Sequence, residues 1–375
     1  MKKYKVLILY QFNVHLALLN ELKIQMISYD IQIDLFNSRT FEYDGSVSLK
    51  RLKFLALLVK IPKVRVIVYF LFRNKIIRRL TSHYNLVDIH FFSRIYDNLI
   101  LNKRFDNVKI SFWGSDIYRI NNGRINSMDY LTANADELYF NTVEMKAFAM
   151  PFFKQKNKLF HQNFGISTFN VIESLRNKGL IETFKTELNI PSNKLIISIG
   201  YNGKKEQQHL KIISAIKKID KSQLNKLFLV FPMTYARDNN YYDLIVNALT
   251  EIGVSYQILN KSLSIDTICK YRIISDIKIN MQTTDAFSAS VQEYFYAKNI
   301  MILGEWLPYN WLEDKGLYYI KSNFQTLHLK IKNTIEDFSN EKEKHAHNSD
   351  KIALISDWKY VSASWAENYK KLIER

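Results

Sequence analysis

Short apolar runs recur along the chain and alternate with longer stretches in which apolar residues have helical spacing. Val6–Tyr10, which stops at the polar Gln11, is the first such run. Nearly continuous apolar runs are typical of strands that are buried on both faces of a parallel sheet. The strands predicted in this way are Val6–Tyr10, Ile31–Phe36, Val87–Phe91, Val108–Phe112, Glu137–Phe140, Leu195–Ile199, Lys226–Phe231, Ser255–Ile258, Ile277–Asn280 and Ile300–Leu303.

The stretches between these strands predict helices, and strands that alternate with helices indicate an α/β fold with doubly wound parallel sheets. A polar segment from about Phe164 to Ser192 separates two groups of strands. We therefore expect two Rossmann-like domains that face a cleft, residues 1–178 and residues 179–355. The clearest predicted helices are Gln207–Ile219, Tyr241–Ile252 and Ser264–Ser275.

The end of the chain, Ser356–Arg375, has the pattern of an amphipathic helix. Its apolar face is rich in aromatic residues, among them Trp358, Trp365 and Tyr369. The pattern alone allows this helix to dock on the second domain or to return to the first.

Composition narrows the classes of partner. The formal net charge of +17 over 375 residues indicates an anionic partner, which can be a nucleic acid, a membrane surface or a phosphorylated ligand. Cys269 is the only cysteine, which excludes a disulfide framework and fits a cytoplasmic protein. The first apolar run ends without a cleavage site for a signal peptidase, and no run is long enough to span a bilayer. We expect a protein that does not cross the membrane.

The segment from Gly45 to Val87 contains ten Lys or Arg residues and no Asp or Glu. Basic residues interleaved with bulky apolar ones suit a helix at the surface of an anionic membrane, here the inner face of the plasma membrane. An ordinary solvated helix pair is the alternative. A nucleic-acid partner is not expected, because no DNA- or RNA-binding module accompanies the segment. The basic residues assigned to this membrane surface include Lys60, Lys63, Arg65 and Arg73.

Two segments of the second domain are candidates for phosphate and sugar binding. The predicted strand Leu195–Ile199 runs into Gly200-Tyr-Asn202-Gly203-Lys204-Lys205, and a strand, a glycine turn and a helix N-terminus can hold phosphate. Lys204 and Lys205 can neutralise a departing diphosphate. An ordinary turn with a solvated lysine pair is the alternative.

Asp285 and Glu293 form the second candidate, eight positions apart. The residues between them, including Phe287, Ser288, Ala289 and Ser290, can open a helix. Acidic side chains at a helix start can bind sugar hydroxyls, while the N–H groups of the first turn can hold phosphate. Asp285 can instead be a turn carboxylate, and Glu293 can form a capping box with Ser290.

In the first domain, the predicted strand ending at Phe112 leads into Trp113-Gly-Ser-Asp116-Ile-Tyr-Arg119. Ligands of open α/β sheets bind at the carboxyl ends of strands. Asp116 can act as a base or orient an acceptor, and Arg119 can meet a phosphate. His90 ends another strand in the same way, although a lone histidine is more often structural.

The sequence lacks motifs for metal binding and for nucleophilic catalysis. The chain has no Asp-x-Asp pair, no His/Cys cluster with metal spacing and no nucleophile elbow. We expect no metal cofactor, so that lysines and helix dipoles neutralise phosphate.

Taken together, these segments resemble the GT-B glycosyltransferases of family 4 and related bacterial polysaccharide transferases. Asp285 to Glu293 has the spacing of the Glu-x7-Glu signature, and Trp113-Gly-Ser-Asp116 is similar to a His-Gly-x-Asp segment. Asn163-Phe-Gly165-Ile166 is similar to the domain crossover of the family. The resemblance implies that Asp285 approaches the donor sugar and Glu293 the ribose. It also implies that helix 356–375 returns to the N-terminal domain.

The resemblance implies a transferase of the hexosyltransferase type, which moves sugar from a nucleotide diphosphate sugar to a polyprenyl-diphosphate-linked or other glycan acceptor. The expected pathway is bacterial surface polysaccharide synthesis, such as O-antigen, capsule or common antigen. The family signature favours retention of configuration, whereas Asp116 as base would suit inversion. Alternatives are a nucleotide-sugar 2-epimerase of the same fold and a non-catalytic membrane- or nucleic-acid-binding protein.

The local patterns and the resemblance together suggest roles for single residues. The catalytic candidates are Asp116, His90 and Lys205. The donor-binding candidates are Gly200, Asn202, Gly203, Lys204, Lys205, Asp285, Phe287, Ser288, Ala289, Ser290 and Glu293. Trp113 and Arg119 are the acceptor-side candidates, beside the basic segment. The chain departs from the family where Asp285 replaces the first Glu and Ser288 replaces a Gly.

Overall fold

The computed structural model describes residues 4–12, 16–47, 52–101, 107–118, 128–236 and 238–375. The chain forms two compact units, one of residues 1–165 and 358–375 and the other of residues 166–357. We call them unit 1 and unit 2. Each unit contains one six-stranded sheet, and every strand pair in both sheets is parallel. The predicted α/β class with two Rossmann-like domains is confirmed.

The sheet of unit 1 has the strand order β2-β1-β3-β4-β5-β6. Its strands are β1 (Tyr4–Tyr10), β2 (Ile31–Asn37), β3 (Leu86–His90), β4 (Val108–Phe112), β5 (Glu137–Phe140) and β6 (Leu159–His161). In the described part of unit 1 the α-helices are Leu16–Ile27, Leu52–Leu58, Pro62–Val68, Asn74–Thr81, Asp97–Leu101, Ser115–Tyr118, Tyr130–Asn134, Val143–Ala149 and Trp358–Ile373, and a π-helical turn covers Tyr69–Arg73.

The sheet of unit 2 has the order β12-β11-β10-β7-β8-β9. Its strands are β7 (Leu195–Ile199), β8 (Leu227–Pro232), β9 (Ser255–Leu259), β10 (Ile277–Asn280), β11 (Ile300–Gly304) and β12 (Ile320–Ser322). Its α-helices are Thr168–Asn177, Ile181–Glu187, His209–Ile216, Lys221–Leu224, Asn239–Ile252, Ile265–Ile274, Ala289–Tyr296, Asn310–Asp314, Leu327–Glu336, Phe338–Ala346 and Asn348–Ser356.

Both faces of the unit 2 sheet are buried. On β11, Ile300 and Ile302 belong to one apolar cluster, while Met301 and Leu303 belong to the other. Successive side chains of a strand point to opposite faces, so a strand covered on both sides must be apolar throughout. This is why the apolar runs identified the strands.

The predicted strands are all present, with bounds that differ by two residues at most. The sequence prediction missed β6 and β12, which have three residues each. Both lie at an edge of their sheet, and their side chains are mostly half-buried, so they leave no continuous apolar signal.

The helix Trp358–Ile373, which we call the C-terminal helix, packs in unit 1. Trp365 and Tyr369 are buried there with residues of β1 and β2. A Cβ atom at Gly165 would lie 2.1 Å from the Trp358 ring, so only glycine fits beside this helix. The predicted return of the helix to the N-terminal domain is confirmed.

The boundary between the units lies near residue 165, whereas the sequence interpretation set it at 178. The difference is the helix Thr168–Asn177. Its apolar residues Phe169 and Ile172 are buried in the core of unit 2, so the helix belongs to that unit. Within the described ranges, no helix is long and apolar enough to span a membrane.

Candidate functional site

Two predicted donor segments are brought together by the topology of unit 2. Strands β7 and β10 are hydrogen-bonded neighbours although nearly 80 residues separate them in the chain. The chain continues from β7 towards β8 and returns to β10 on the other side, which makes this a topological switch point. The turn that begins at Gly200 and the loop that contains Asp285 follow these two strands. Ligands of doubly wound sheets bind at such a place.

The turn after β7 is held by its own hydrogen bonds. The Tyr201 N–H donates to Gln207 Oε1 at 3.0 Å, and the Lys204 N–H donates to Asn202 Oδ1 at 2.9 Å. The Gly203 N–H donates to the Tyr235 carbonyl at 3.0 Å. Because these donors have partners, the predicted backbone cradle for phosphate is not formed by the N–H groups of Tyr201, Gly203 and Lys204.

Lys204 and Lys205 line an open cavity of about 810 Å³ together with Lys211. Lys204 is half-buried, while Lys205 is exposed and forms an ion pair of 3.1 Å with Asp238. An exposed pair of this kind is weak and leaves Lys205 able to exchange partners. Both lysines are therefore accessible to an anionic ligand.

Asp285 is 7% exposed and is bonded to its own loop and to Tyr309, which follows β11. Its carboxylate accepts the Ser288 N–H at 3.3 Å, the Ser288 hydroxyl at 3.0 Å and the Tyr309 hydroxyl. Burial raises the pKa of Asp285. Phe287, in the left-handed region with φ of 57°, packs edge-on against Tyr309 at 5.5 Å. Asp285 thus shapes the loop that leads into the next helix.

Glu293 does not form the capping box. The helix Ala289–Tyr296 begins after Ser288, and Glu293 Oε1 accepts the Thr168 hydroxyl at 2.9 Å. Its other oxygen accepts the Arg272 Nε–H at 3.0 Å. Arg272 also donates to the Tyr294 hydroxyl at 2.7 Å. Sequence reasoning missed Arg272, because a basic residue in a predicted helix gives no local signal of its distant partner.

The Arg272–Glu293 pair lies at the wall of a cavity of about 180 Å³. Ser290 lines the same cavity, and its buried hydroxyl has no hydrogen-bond partner among the residues that the structure describes. Tyr235 and Tyr271 supply aromatic surface. One charged, hydrogen-bonding wall and one aromatic wall suit a ligand that combines a planar ring with hydroxyl groups.

In unit 1, Asp116 is 5% exposed and accepts three backbone N–H groups. They belong to Phe92 at 3.1 Å, Trp113 at 2.9 Å and Gly114 at 2.8 Å. These bonds join the loops after β3 and β4. Burial raises the pKa of Asp116 to about 7.

His90 is 1% exposed, and its Nε2 lies 3.1 Å from Asp88 Oδ2. Its ring lies among those of Trp113, Phe164 and Trp365. The structure therefore places His90 inside unit 1, beside the half-buried Trp113.

Asp88, which sequence reasoning missed, is the centre of a buried polar cluster. It accepts the Ser111 hydroxyl at 2.9 Å and the Tyr369 hydroxyl at 2.9 Å, and it lies 3.3 Å from Lys109 Nζ. Burial alone would raise the pKa of Asp88, but His90 and Lys109 hold it below its usual range. The cluster joins the sheet of unit 1 to the C-terminal helix.

The basic segment presents charge and apolar surface together. Lys60, Lys63 and Arg65 are exposed, while Arg73 is half-buried with its guanidinium 5.9 Å from the Tyr69 ring centroid. Burial lowers the pKa of Arg73. Arg119 lies outside the described residues. The exposed large apolar residues of the segment are Phe54, Leu57, Ile61, Val66, Ile67, Phe70 and Leu71.

No protein-family model matches the chain, and no curated protein is significantly similar to it in sequence. Solved structures are similar in fold. A glycosyltransferase from Rickettsia africae superposes with a TM-score of 0.73 at 14% identity, over 100% of both chains. Sucrose-phosphate synthase from Thermosynechococcus elongatus gives 0.73 at 10% identity, over 99% of this chain and 100% of that one.

HepE of Anabaena, in complex with UDP and glucose, gives a TM-score of 0.68 at 12% identity, over 98% of this chain and 100% of that one. At such low identities the similarity shows the fold and not the activity. The fold is that of the GT-B glycosyltransferases, as the sequence resemblance implied.

Proposed function

We propose that this chain, with its GT-B fold, is a glycosyltransferase that takes sugar from a nucleotide diphosphate sugar bound to unit 2. The observation that carries the proposal is the switch point between β7 and β10. It combines the accessible Lys204 and Lys205, the start of the helix Ala289–Tyr296 and a cavity walled by Arg272 and Glu293.

In this proposal the nucleoside occupies the cavity of about 180 Å³. Tyr235 and Tyr271 offer aromatic surface to the base, and Glu293 accepts hydrogen bonds from the ribose hydroxyls. Arg272 holds the Glu293 carboxylate in place, because a charge-assisted hydrogen bond is stronger than a neutral one.

The diphosphate is proposed to lie at the start of the helix Ala289–Tyr296, where the Ser290 hydroxyl and the first-turn N–H groups can donate to it. Lys204 and Lys205 approach it from the turn after β7. Their charge stabilises the departing diphosphate as the bond to the sugar breaks. We propose that no metal is needed and that the anomeric configuration is retained without a protein nucleophile.

Acceptor recognition is assigned to unit 1. Because Asp116 is buried and accepts N–H groups from both loops, and the ring of His90 is packed beside Trp113, we propose that they hold the loops after β3 and β4 in place. The basic and apolar surface of residues 52–81 is proposed to dock on the inner face of an anionic membrane. The acceptor is then a polyprenyl-diphosphate-linked glycan of surface polysaccharide synthesis.

The test is a panel of nucleoside diphosphates, headed by UDP because HepE of Anabaena binds it. Binding is measured by thermal shift and calorimetry, and transfer is measured by the release of diphosphate from the matching nucleotide sugars. Glu293→Gln is expected to weaken binding of the selected nucleotide about tenfold. Glu251→Gln, which alters an exposed ion pair elsewhere in unit 2, should leave binding unchanged. If no member of the panel binds the wild-type protein, the proposal is wrong.

A further inference from the structure

A buried lysine lies directly beneath the proposed donor site. Lys278 is on β10, its residue exposure is 0%, and its ammonium group donates a hydrogen bond to the Gly200 carbonyl. Gly200 begins the turn that carries Lys204 and Lys205. On its other side the ammonium lies 4.5 Å from the centroid of the Tyr294 ring.

The charge of Lys278 has no close counter-ion. Arg272 Nε, on the neighbouring helix Ile265–Ile274, lies 3.0 Å from Glu293, but no carboxylate of the described residues lies within 4.0 Å of Lys278 Nζ. Asp285 in its loop and Glu293 on the helix Ala289–Tyr296 act only from farther away, and Arg272 opposes them. His209, from the helix His209–Ile216, is neutral, because burial lowers its pKa to about 3.

An unpaired ammonium in a protein interior is costly, and replacement by an apolar side chain of similar size is often neutral or stabilising. Burial and the charge of Arg272 accordingly lower the pKa of Lys278 well below its usual range. A diphosphate between the start of the helix Ala289–Tyr296 and the Gly200 turn would supply the missing negative charge. It would raise the pKa of Lys278 again.

We propose that Lys278 is a positioning residue of the donor site: its buried side-chain amine gains a proton when the diphosphate binds beside Gly200, and the ammonium so formed balances the charge of the diphosphate. The inference rests on the proposed function. It assigns to a residue inside the sheet a part of the phosphate neutralisation that sequence reasoning gave to Lys204, Lys205 and helix dipoles.

The experiment measures proton uptake on binding. The nucleoside diphosphate that binds best in the panel is titrated by calorimetry at about pH 8.5, well above the second phosphate pKa of about 6. The titration is repeated in buffers with different ionisation enthalpies, which reports the number of protons taken up. The wild-type protein is expected to take up a fraction of one proton from the buffer.

Three variants separate the possible roles of Lys278. Lys278→Met should abolish the uptake and weaken binding about tenfold or more, with the free protein as stable as the wild type or more so. Lys278→Arg, which stays charged at every pH used, should bind without uptake. Lys205→Met, at an exposed lysine of the same turn, should keep the uptake.

Each outcome bears on one claim. If the wild-type protein binds the nucleotide but Lys278→Met takes up as many protons, the inference is overturned and the proposed function stands. A lower melting temperature of Lys278→Met with unchanged affinity would assign Lys278 a structural role only, and would overturn the inference in the same way. If no nucleoside diphosphate binds, the proposed function fails and the inference fails with it.

Discussion

At the scale of single residues, Gly200 lies where the turn after β7 packs directly against the core. Its φ of 62° lies in the left-handed region, and a Cβ atom there would be 2.6 Å from His209 Nε2. His209 is fully buried, so its ring cannot move aside without disturbing the packing around it.

We expect Gly200→Ala to lower the free energy of unfolding by about 2–4 kcal/mol, from backbone strain and overpacking together. Gly179→Ala is the matched control, because Gly179 has a φ of 67° and no atom within 4 Å of a built Cβ. It should cost only about 1 kcal/mol. Urea unfolding measures both variants. Equal losses would show that His209 does not restrict this position.

Asp116 should make the stability of the protein depend on pH. Its folded pKa of about 7 is above the value in the unfolded chain, because burial disfavours the charged form. The folded state therefore binds a proton that the unfolded state has lost. The contribution of Asp116 to the free energy of unfolding is fully present below about pH 4 and is lost as the pH rises through about 7.

We expect the free energy of unfolding of the wild-type protein, relative to that of Asp116→Asn, to fall by a few kcal/mol between about pH 5 and pH 8. The variant cannot ionise at this position, so the difference between the two proteins isolates Asp116. Urea titrations at both pH values test this. If the free energy of unfolding of the wild type rose with pH relative to that of the variant, the three N–H bonds would stabilise the charged form of Asp116 by more than burial destabilises it.

At the scale of elements, the helical stretch Pro62–Thr81 shows that many apolar residues of a sequence pattern can lie outside the core. Val68, Ile77 and Leu80 are buried in this stretch, whereas Phe70 is 87% exposed and Leu71 is 55% exposed. Exposed apolar side chains beside basic ones suit the interface of an anionic membrane. An ordinary solvated helix rarely exposes neighbouring large apolar side chains in this way.

We expect the double change Phe70→Ser and Leu71→Ser to weaken binding to vesicles that contain phosphatidylglycerol about tenfold or more. The double change Ile24→Ser and Ile27→Ser, at exposed apolar residues of another helix, is the control and should have no effect. Binding should also weaken as salt is raised, since salt screens surface charge. Equal binding of the wild-type protein to neutral vesicles would contradict the electrostatic part of the proposal.

At the scale of the whole molecule, the last residues of the chain complete unit 1. Trp365 is fully buried and donates its indole N–H to the Asn163 carbonyl at 2.8 Å. Its ring lies 3.8 Å from Lys109 Nζ. The C-terminal helix is thus joined both to the crossover from unit 1 and to the cluster around Asp88.

We expect Trp365→Ala to lower the free energy of unfolding by about 3–5 kcal/mol, since it leaves a large cavity and removes the hydrogen bond to the Asn163 carbonyl. Tyr360→Ala, on the same helix but 47% exposed, should change stability by less than about 0.5 kcal/mol. Urea unfolding compares the two. A small loss for Trp365→Ala would show that unit 1 does not depend on the C-terminal helix.

The sequence by itself determined the strands and the fold class. Burial on both faces of a parallel sheet imposes an apolar run on each strand, and that signal is local. It also identified the segments at Gly200 and Asp285, because a glycine turn after a strand and acidic or hydroxyl residues at a helix start are local patterns as well. Short edge strands and the exact boundary of the units carry no such signal.

Only the tertiary structure decided which distant residues meet. The pairing of β7 with β10 places the two proposed donor segments side by side, and helix packing brings Arg272 to Glu293. The position of Lys278 beneath Gly200 depends on the same strand pairing. A lysine within a predicted strand gives no sign of its partner, because the partner is set by strand order and register rather than by its neighbours in the chain.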